Sequence, residues 1–569
     1  MSHWIVTPVV LPAMLAAIIV LLCRHHPVLQ RIFALAGSGA LLAVAIGLFV
    51  QASGGTITLY QLGDWQAPFG IVLVADRLST LLVLLTAVLS IFVLLHAIGT
   101  GWDQRGRHFH ALFQFQLMGV MGAFLTGDLF NLFVFFEVLL IASYGLMIHS
   151  GGTKRTQAGT QYVLYNLLGS TLFLFALGTL YAETGTLNMA DLANRVAQIA
   201  PENSAGIRTA AVLLVIVFAI KAAIAPVHFW LPASYAEAPG PVAALFAIMT
   251  KVGAYAIIRV YTLVFPPELE LTQGLLEMWL LPLALIGLAV GMIGVLGAVR
   301  LDRMVTFAVI GSMGMLTAAV ALFTAEGISA ALYYIVHSTL ATAALFLIVD
   351  LVEEHRGSRG AELSTAPPIP GNSILAGMFF VAAIAMAGLP PLSGFLGKLL
   401  ILDAAFDSPL VVWTWAVILG TSLVSVVGFS RAGSTVFWKA AEWEERMEAA
   451  SDDPATQMDN VATTPEAPAR PQPILPLVTI GGLIGLIVLY TIFSGPVSRT
   501  MTATAEQLFS PEPYISTVLD TPGKEIDYHG DYEEDGDGGE DHADEDQGAG
   551  SGDHGAAAET DGDTAEEAH

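Results

Sequence analysis

The chain has 569 residues, of which 55% are hydrophobic and only 13% are charged, and its mean hydropathy is +0.67. Soluble domains carry about 25% charged residues, so this composition excludes a soluble domain and predicts a protein that crosses a membrane many times. The single cysteine, Cys23, excludes a disulfide framework and any zinc site or iron–sulfur cluster ligated by cysteines of this chain alone.

Apolar stretches recur along almost the whole chain, each near the ~20 residues that a helix needs to cross a bilayer. They predict an all-α membrane protein with about fourteen transmembrane helices. The first stretch has no basic segment before it and no obvious cleavage site, so we expect it to be retained. The predicted spans are approximately 4–23, 31–51, 77–98, 111–127, 129–149, 161–182, 209–230, 240–262, 277–299, 305–324, 327–350, 373–402, 411–431 and 473–494.

Lysine and arginine are distributed unequally between alternate loops, which predicts the orientation. The loops with few basic residues, together with the C-terminal tail, hold Arg77, Arg195, Arg208, Arg499 and Lys524. The other set holds Arg24, Arg31, Arg105, Arg107, Lys154, Arg155, Arg300, Arg303, Arg356, Arg359, Arg431, Lys439, Arg446 and Arg470. We expect this second set on the cytoplasmic side, so that with fourteen spans both termini are extracytoplasmic.

Spans four to eight (111–262) and nine to thirteen (277–431) form two sets of five. An odd number of helices makes the second set enter the membrane in the inverted orientation, as in many transporters. The seventh span is interrupted at Pro226 and the twelfth at Pro390 and Pro391. Mid-membrane prolines free backbone carbonyls, which favours a transport site, although such kinks also occur as plain packing features. These three prolines and His228 are candidate gating residues; His228 also suits an interfacial belt.

The remaining segments complete the predicted organisation. Three helices precede the repeats (1–98), a cytoplasmic polar loop follows them (432–472), and the fourteenth helix occupies 473–494. The extracytoplasmic segment 495–569 ends in a tail that we expect to be disordered from about residue 520. After Thr521 it has eighteen acidic residues and one lysine, so it carries −17 of the net charge of −26 and cannot bury a core. Its histidines could bind metal, but a solvated tail is favoured.

Five ionisable residues interrupt the apolar spans at depth: Glu137, Lys221, Lys251, His337 and Lys398. A charge at the centre of a membrane helix costs roughly 2.5–3.5 kcal/mol on insertion scales, so each needs a partner, a hydrated path or both. Desolvation disfavours an ammonium group and a nearby carboxylate favours it, so such groups can load and release protons. We therefore interpret these residues as a proton pathway, with Glu137 as the switch. We predict no metal site and no cofactor.

Structural interpretations stay open at several of these positions. A Glu137–Lys221 pair could tie two helices together, and His337 suits a hydrogen-bonded core position as well as a relay. For polar residues near span ends we expect interfacial hydration rather than function, namely for Asp76, Asp128, Asp350, His96 and His149.

Three segments resemble a known family. FFEVLLIASYGLM, IKAAIAPVHFWLPASYAEAPGPVAALFAIMTKVGAY and AGLPPLSGFLGK are similar to the antiporter-like subunits shared by respiratory complex I and Mrp-type cation/proton antiporters. The resemblance runs from Asp76 to about Phe437. Within that superfamily, Gly185–Leu192 (GTLNMADL) and Ala505–Leu519 (AEQLFSPEPYISTVL) resemble the D subunits of Mrp antiporters.

The resemblance implies roles for the buried residues. Glu137 and Lys221 match the family's essential pair, Lys251 the connecting lysine, His337 the broken-helix histidine and Lys398 the exit-side lysine. Family members often have a lysine five residues after the histidine, whereas this chain has Thr342 there. We therefore expect water or the histidine itself to carry the proton through the middle of the path.

Three hypotheses follow. The first is a non-enzymatic, proton-translocating subunit of a multisubunit monovalent cation (Na+)/proton antiporter in the bacterial cytoplasmic membrane, with the other subunits, the bilayer, H+ and Na+ as partners and no nucleic acid. The second is a proton-pumping membrane subunit of a complex I-like NADH-quinone oxidoreductase or membrane-bound hydrogenase. The third is a scaffold whose buried charges fix helix register. No cluster of membrane carboxylates offers sodium a site, so we expect that site on a partner or at a subunit interface.

Overall fold

The structure is a computed structural model that describes residues 2–440 and 474–524. Most of the polar loop (432–472) and of the acidic tail lies outside these residues, so the structure does not test the expectations for them. The helices are α1 (Thr7–Leu21), α2 (Pro27–Ser53), α3 (Arg77–Thr100), α4 (Phe109–Leu125), α5 (Leu129–Met147), α6 (Thr153–Thr184), α7 (Met189–Ala197), α8 (Ala205–Ala222), α9 (Trp230–Glu237), α10 (Gly240–Phe246), α11 (Met249–Leu263), α12 (Glu277–Gly297), α13 (Leu301–Val320), α14 (Ala325–His355), α15 (Asn372–Ala387), α16 (Ser393–Ala404), α17 (Val411–Gly433), α18 (Ile474–Ile492), α19 (Ser494–Leu508) and α20 (Glu512–Leu519).

The described part of the chain is built mainly from membrane-length apolar helices. Eleven helical stretches in it are long and apolar enough to cross a bilayer, and α10 and α11 together form one of them. Three further apolar helices, α1, α4 and α15, are shorter than 18 residues. The prediction of a predominantly helical, multi-pass membrane protein is confirmed.

Helix α14 and the α10–α11 pair form the centre of the bundle, since an 18-residue stretch of each is completely buried. Helix α14 begins after Thr324, whose hydroxyl accepts a hydrogen bond from the Gly327 amide at 3.1 Å and so caps one of the free N–H groups of the first turn. By contrast, only 28% of the corresponding stretch of α18 is buried. The ionisable residues on the central helices are therefore held inside protein, and the outer helices present apolar side chains outward.

Two helices are interrupted where the sequence places prolines. Helix α8 ends at Ala222, and the Ala223 backbone is left-handed (φ 53°). The carbonyl oxygen of Ile220 at the end of α8 accepts hydrogen bonds from the Ala223 amide at 3.2 Å and from the Trp230 indole at 2.9 Å. Helix α15 ends at Ala387 and is followed by Gly388 at φ 74°, a conformation that suits glycine.

A third break, between α10 and α11, was not predicted. Helix α10 ends at Phe246 and α11 begins at Met249, so Lys251 lies in the first turn of α11. Lys221 lies in the last turn of α8, and Lys398 is the sixth residue of α16. Each of the three buried lysines is thus on a helix that is broken close to it in sequence.

A short hairpin is the departure from an all-α chain within residues 2–440 and 474–524. Strands β1 (Thr58–Gln61) and β2 (Val72–Ala75) pair antiparallel, with Thr58 opposite Ala75. The chain then enters α3 through Asp76, whose carboxylate accepts the Ser79 amide at 2.8 Å while the Ser79 hydroxyl accepts the Asp76 amide at 2.9 Å.

Candidate functional site

A serine hydroxyl links the two charged side chains that the sequence predicts as a pair. Ser170 on α6 donates a short hydrogen bond to a carboxylate oxygen of Glu137 on α5. The Nζ atom of Lys221 on α8 donates to the same hydroxyl oxygen at 3.1 Å. Glu137 and Lys221 are therefore linked through one intervening hydroxyl and form no direct ion pair in the described structure.

The Lys221 ammonium is surrounded by neutral groups. Its side chain is only 5% exposed, its Nζ lies 3.4 Å from the carbonyl oxygen of Asn166, and it lies 5.7 Å from the centroid of the Phe136 ring. The ring distance is within the range of cation–π attraction. Glu137 is partly exposed at the surface of the chain. The lysine is thus isolated from bulk water, while the carboxylate lies nearer the outside.

Sequence reasoning missed Asn166 and Ser170, the two α6 residues that contact Lys221. They are four residues apart, so they lie on one face of α6, and they interrupt the apolar run LYNLLGSTLF. That spacing of polar residues within an apolar span was the signal available in the sequence.

Lys251 has no charged partner within the described residues. It is completely buried, and the polar atom hydrogen-bonded to its Nζ is the Thr250 hydroxyl at 3.5 Å. Two residues further on, a Cβ added to Gly253 would lie 2.6 Å from the backbone nitrogen of Ala222, so α11 passes very close to the end of α8. This close packing places the first turn of α11 beside the break that follows Ala222.

His337 connects the central helix to the second broken helix. Its Nδ1 lies 2.9 Å from the hydroxyl of Ser393, the first residue of α16. Its Nε2 has no hydrogen-bond partner among the described residues, and neither has the buried hydroxyl of Thr342. Buried polar atoms normally have a partner in protein or ordered water. These two buried atoms on α14 therefore lack the partner that such atoms normally have in the described part of the chain.

Lys398 reaches the free end of the preceding half-helix. Its Nζ donates to the carbonyl oxygen of Ala387, the last residue of α15, at 2.6 Å and to the Ser422 hydroxyl at 2.7 Å. The last carbonyls of a helix carry a partial negative charge, which favours a cation there. The missing side chain of Gly388 leaves room for this contact, because a Cβ there would lie 2.6 Å from the lysine.

The four candidate gating residues lie in the breaks but not against the lysines. Pro226 and His228 lie between α8 and α9, and Pro390 and Pro391 lie between α15 and α16. The three prolines are exposed and the histidine is half-buried. The hydrogen bonds at Lys221 and Lys398 come from other residues.

The expectation that Asp76 is hydrated at a span end is wrong. Its carboxylate is buried and pairs with the buried Arg259 guanidinium at 2.6 Å. The guanidinium also lies 5.7 Å from the ring centroid of Tyr255 and 5.1 Å from that of Tyr514. Asp128, in contrast, keeps a partly exposed position and caps α5 through the Asn131 amide at 2.7 Å.

The expectation of an interfacial His96 and Asp350 is wrong for the same reason, because distant helices supply partners. His96 Nε2 lies 3.1 Å from one Asp350 carboxylate oxygen, and the Trp102 indole donates to the other at 2.8 Å. His96 Nδ1 lies 3.1 Å from the Thr479 hydroxyl, which already donates to the Pro476 carbonyl. His96 thus connects Asp350 on α14 with Thr479 on α18.

His149 is also buried rather than interfacial. Its Nε2 lies 3.0 Å from the Trp102 carbonyl oxygen. Burial is the largest influence on its pKa, which is lowered from the ordinary histidine value.

Residues 126–425 match the family described as NADH:quinone oxidoreductase/Mrp antiporter, TM. The probable D subunit of a K(+)/H(+) antiporter from Rhizobium meliloti (strain 1021) is 35% identical over 556 residues, which cover 92% of this chain and 98% of the relative. The D subunit of a Na(+)/H(+) antiporter from Alkalihalophilus pseudofirmus is 36% identical over 91% of this chain and 100% of its own length.

Among solved structures, a chain of the Mrp complex from Dietzia sp. DQ12-45-1b is similar with a TM-score of 0.79 and 25% identity, over 91% of this chain and 100% of that one. The chain therefore belongs to the NADH:quinone oxidoreductase/Mrp antiporter family and, within it, to the cation/proton antiporter D subunits.

Proposed function

We propose that this chain is the proton-translocating subunit of a multisubunit monovalent cation/proton antiporter in the bacterial cytoplasmic membrane. The observation that carries the proposal is the Glu137–Ser170–Lys221 hydrogen-bond chain inside the membrane-spanning part of the protein. It joins a partly exposed carboxylate to a buried ammonium. Family membership supplies the antiporter context, because relatives of nearly full length are named as antiporter D subunits.

In this proposal Ser170 relays the influence of Glu137 on Lys221. A hydroxyl can accept from the ammonium and donate to the carboxylate at the same time. Two unit charges about 5 Å apart interact by roughly 3 kcal/mol at an effective dielectric of about 20. A movement of α5 or α6 that breaks either hydrogen bond removes part of the stabilisation of the Lys221 ammonium. Lys221 then releases its proton towards Lys251.

The next proposed step runs from Lys221 along the break in α8 to Lys251 in the first turn of α11. Support comes from the close approach of Gly253 to Ala222, and from the absence of a carboxylate partner for Lys251 among residues 2–440 and 474–524. An ammonium that no counter-ion holds can give up its proton without breaking an ion pair.

Water and His337 complete the path to Lys398 in this proposal. The free His337 Nε2 and the unpartnered Thr342 hydroxyl lie on the same helix. The Ser393 contact of His337 connects α14 to α16, which carries Lys398. The Ala387 carbonyl and the Ser422 hydroxyl then hold the terminal ammonium.

The finer architecture belongs to the same proposal. We propose fourteen spans, and three apolar helices shorter than 18 residues beside the eleven longer stretches support that number. We propose two inverted repeats, 111–262 and 277–431, between an N-terminal unit (1–98) and a C-terminal unit made of the loop 432–472, the helix 473–494 and the segment 495–569. The basic loops then lie in the cytoplasm, with both termini outside. Pro226, His228, Pro390 and Pro391 act as gating elements.

The experiment removes the buried amine. Lys221→Ala is compared with Lys154→Ala, an exposed lysine with no part in the path, in an assembled complex expressed in a sodium-sensitive host. We expect Lys221→Ala to assemble but to lose Na+/H+ and K+/H+ exchange in inverted membrane vesicles, while the control retains both. Normal assembly with full exchange in Lys221→Ala would favour the scaffold hypothesis and overturn the proposal.

A further inference from the structure

A polar cavity of about 430 Å³ lies where the α1–α2 turn meets the α3–α4 connection. Its lining includes two arginines, Arg24 and Arg107, and three histidines, His25, His108 and His110. The volume is in the range of small-molecule binding sites. The path from Glu137 to Lys398 uses none of these residues, so the cavity needs its own explanation.

Positive charge dominates the cavity because its one carboxylate is already neutralised. Asp103 accepts two hydrogen bonds from the Arg31 guanidinium, at 2.6 and 3.0 Å, and its Oδ2 also lies 3.1 Å from His110 Nε2. The exposed guanidinium groups of Arg24 and Arg107 have no hydrogen bond or ion pair in the described part of the chain. Two uncompensated cations therefore face one cavity.

One further polar atom of the lining lacks a partner. His110 is buried, and its Nδ1 has no hydrogen-bond partner among residues 2–440 and 474–524. Its Nε2 is engaged by Asp103, so the ring is held in place from one side only. The carboxylate can only accept from Nε2, so the donors that this lining offers to an anion with several oxygens are the two free guanidinium groups.

Exposed apolar side chains lie close in sequence to the cavity lining, on the two helices that the α1–α2 turn joins. Leu21 and Leu22 at the end of α1 are 77% and 73% exposed, and Val28 and Ile32 at the start of α2 are 66% and 55% exposed. Exposed aliphatic side chains beside a basic cavity at helix ends match a molecule with an anionic head and hydrocarbon chains. A free inorganic anion would need only the polar part.

We propose that this cavity binds the phosphate-bearing headgroup of an anionic phospholipid, with Arg24 and Arg107 on the phosphate and the acyl chains along Leu21, Leu22, Val28 and Ile32. Basic pockets between transmembrane helices are known to hold such headgroups. The site is separate from the proposed proton path and does not depend on antiport. Bound lipid fixes the α1–α2 unit against the α3–α4 connection.

The test uses the complete purified complex, depleted of lipid in detergent and titrated separately with phosphatidylglycerol, phosphatidylcholine and inorganic phosphate. Bound lipid is counted by native mass spectrometry, and the thermal midpoint is followed in parallel. The Arg24→Gln/Arg107→Gln variant removes both free cations. The Lys154→Gln/Lys439→Gln variant removes two exposed charges that lie outside the cavity.

We expect phosphatidylglycerol to bind the natural protein and the control variant equally and to raise the thermal midpoint of both. Its affinity for the arginine variant should fall about 30-fold, because each basic group near an anionic lipid contributes about fivefold. Arg24→Lys/Arg107→Lys should keep most of the affinity. These results would support the lipid site.

Results of three kinds would overturn the proposed lipid site. The first is equal phosphatidylglycerol affinity in the arginine variant and the natural protein, or equal binding of phosphatidylcholine. The second is full occupancy by inorganic phosphate with no preference for lipid, which would indicate a site for a free anion. The third is the loss of a neighbouring subunit from the arginine variant with unchanged lipid content, which would indicate a protein interface.

Discussion

Lys221 Nζ lies 3.1 Å from the hydroxyl oxygen of Ser170, and that hydroxyl donates its own proton to Glu137. The two charged groups are thus coupled through a neutral relay rather than held in direct contact. Removing one partner of a direct buried ion pair would leave the other charge buried without a counter-ion, which is strongly destabilising. A relay can be weakened by a small rotation of one helix, which suits a group that must release its proton in every cycle.

Ser170→Ala tests the relay without changing any charge. We expect antiport to fall at least about tenfold, since the hydrogen bonds of charged groups contribute roughly 1.5–3 kcal/mol each. Assembly should be normal, and Ser170→Thr should restore part of the activity because it returns the hydroxyl. The measurement is cation-dependent proton flux in inverted vesicles.

The matched control for this prediction is Ser90→Ala. Ser90 is also a buried membrane serine, but its hydroxyl donates to the backbone carbonyl of Ala87 at 2.8 Å, and α3 carries no residue of the proposed path. Equal flux in Ser170→Ala and Ser90→Ala would show that the hydroxyl is not part of the pathway.

The buried Asp76–Arg259 pair predicts a stability effect separate from transport. Arg259→Met leaves the Asp76 carboxylate without a counter-ion. Asp76→Asn leaves the Arg259 guanidinium without a counter-ion but keeps an oxygen that can cap α3. We expect each single variant to lose about 3–5 kcal/mol of stability, and the double variant to lose clearly less than their sum. Thermal unfolding of the purified complex measures all three.

If the stability losses of the two single variants added up to the loss of the double variant, the Asp76–Arg259 pairing would be contradicted. Activity per assembled complex should change little in any of the three variants, because neither residue lies on the proposed path.

Asp103 predicts a pH dependence outside the membrane-spanning helices. Burial alone would raise the pKa of its carboxyl group, but hydrogen bonds from His110 and Arg31, with their charges, outweigh burial and hold the pKa below its ordinary value. Folding therefore favours the ionised form. Its stabilising contribution is complete above about pH 4, the ordinary aspartate pKa, and is lost as the pH falls through the lowered pKa.

Asp103→Asn should accordingly lower the thermal midpoint at neutral pH, and the difference from the natural protein should shrink as the buffer is made more acidic than pH ~4. Midpoints measured across that series test this directly. A difference that is independent of pH would show that the side chain acts through its shape or its neutral hydrogen bonds only.

The sequence predicts the buried charges well and their partners poorly. Lys221, Lys251 and Lys398 are visible because a cation inside an apolar run is costly wherever the helix lies. Ser170 is not, because hydroxyls in membrane helices usually bond to their own backbone. Its neighbour Thr171 does so, donating to the Leu167 carbonyl at 3.0 Å, and the two positions look alike in the sequence.

Long-range partners explain the wrong expectations at the span ends. Asp76 pairs with a residue 183 positions away, and His96 with one 254 positions away. A carboxylate or an imidazole near a helix end is hydrated by default, and only the packing of distant helices changes that. The short hairpin and the break before Lys251 were also missed, because an apolar stretch of sequence does not by itself show where a strand forms or where a helix is interrupted.

In the proposed mechanism the charge of Glu137 controls proton movement through Lys221. The most direct measurement compares proton flux through purified complexes in proteoliposomes for the natural protein, Glu137→Gln and Glu183→Gln, the last being the same change at an exposed glutamate. Glutamine keeps an oxygen for the Ser170 hydroxyl and removes only the charge. We predict a fully assembled Glu137→Gln complex whose flux falls to background or survives only at more acidic pH, with normal flux in the control. Natural flux in Glu137→Gln across neutral and alkaline pH would contradict the account.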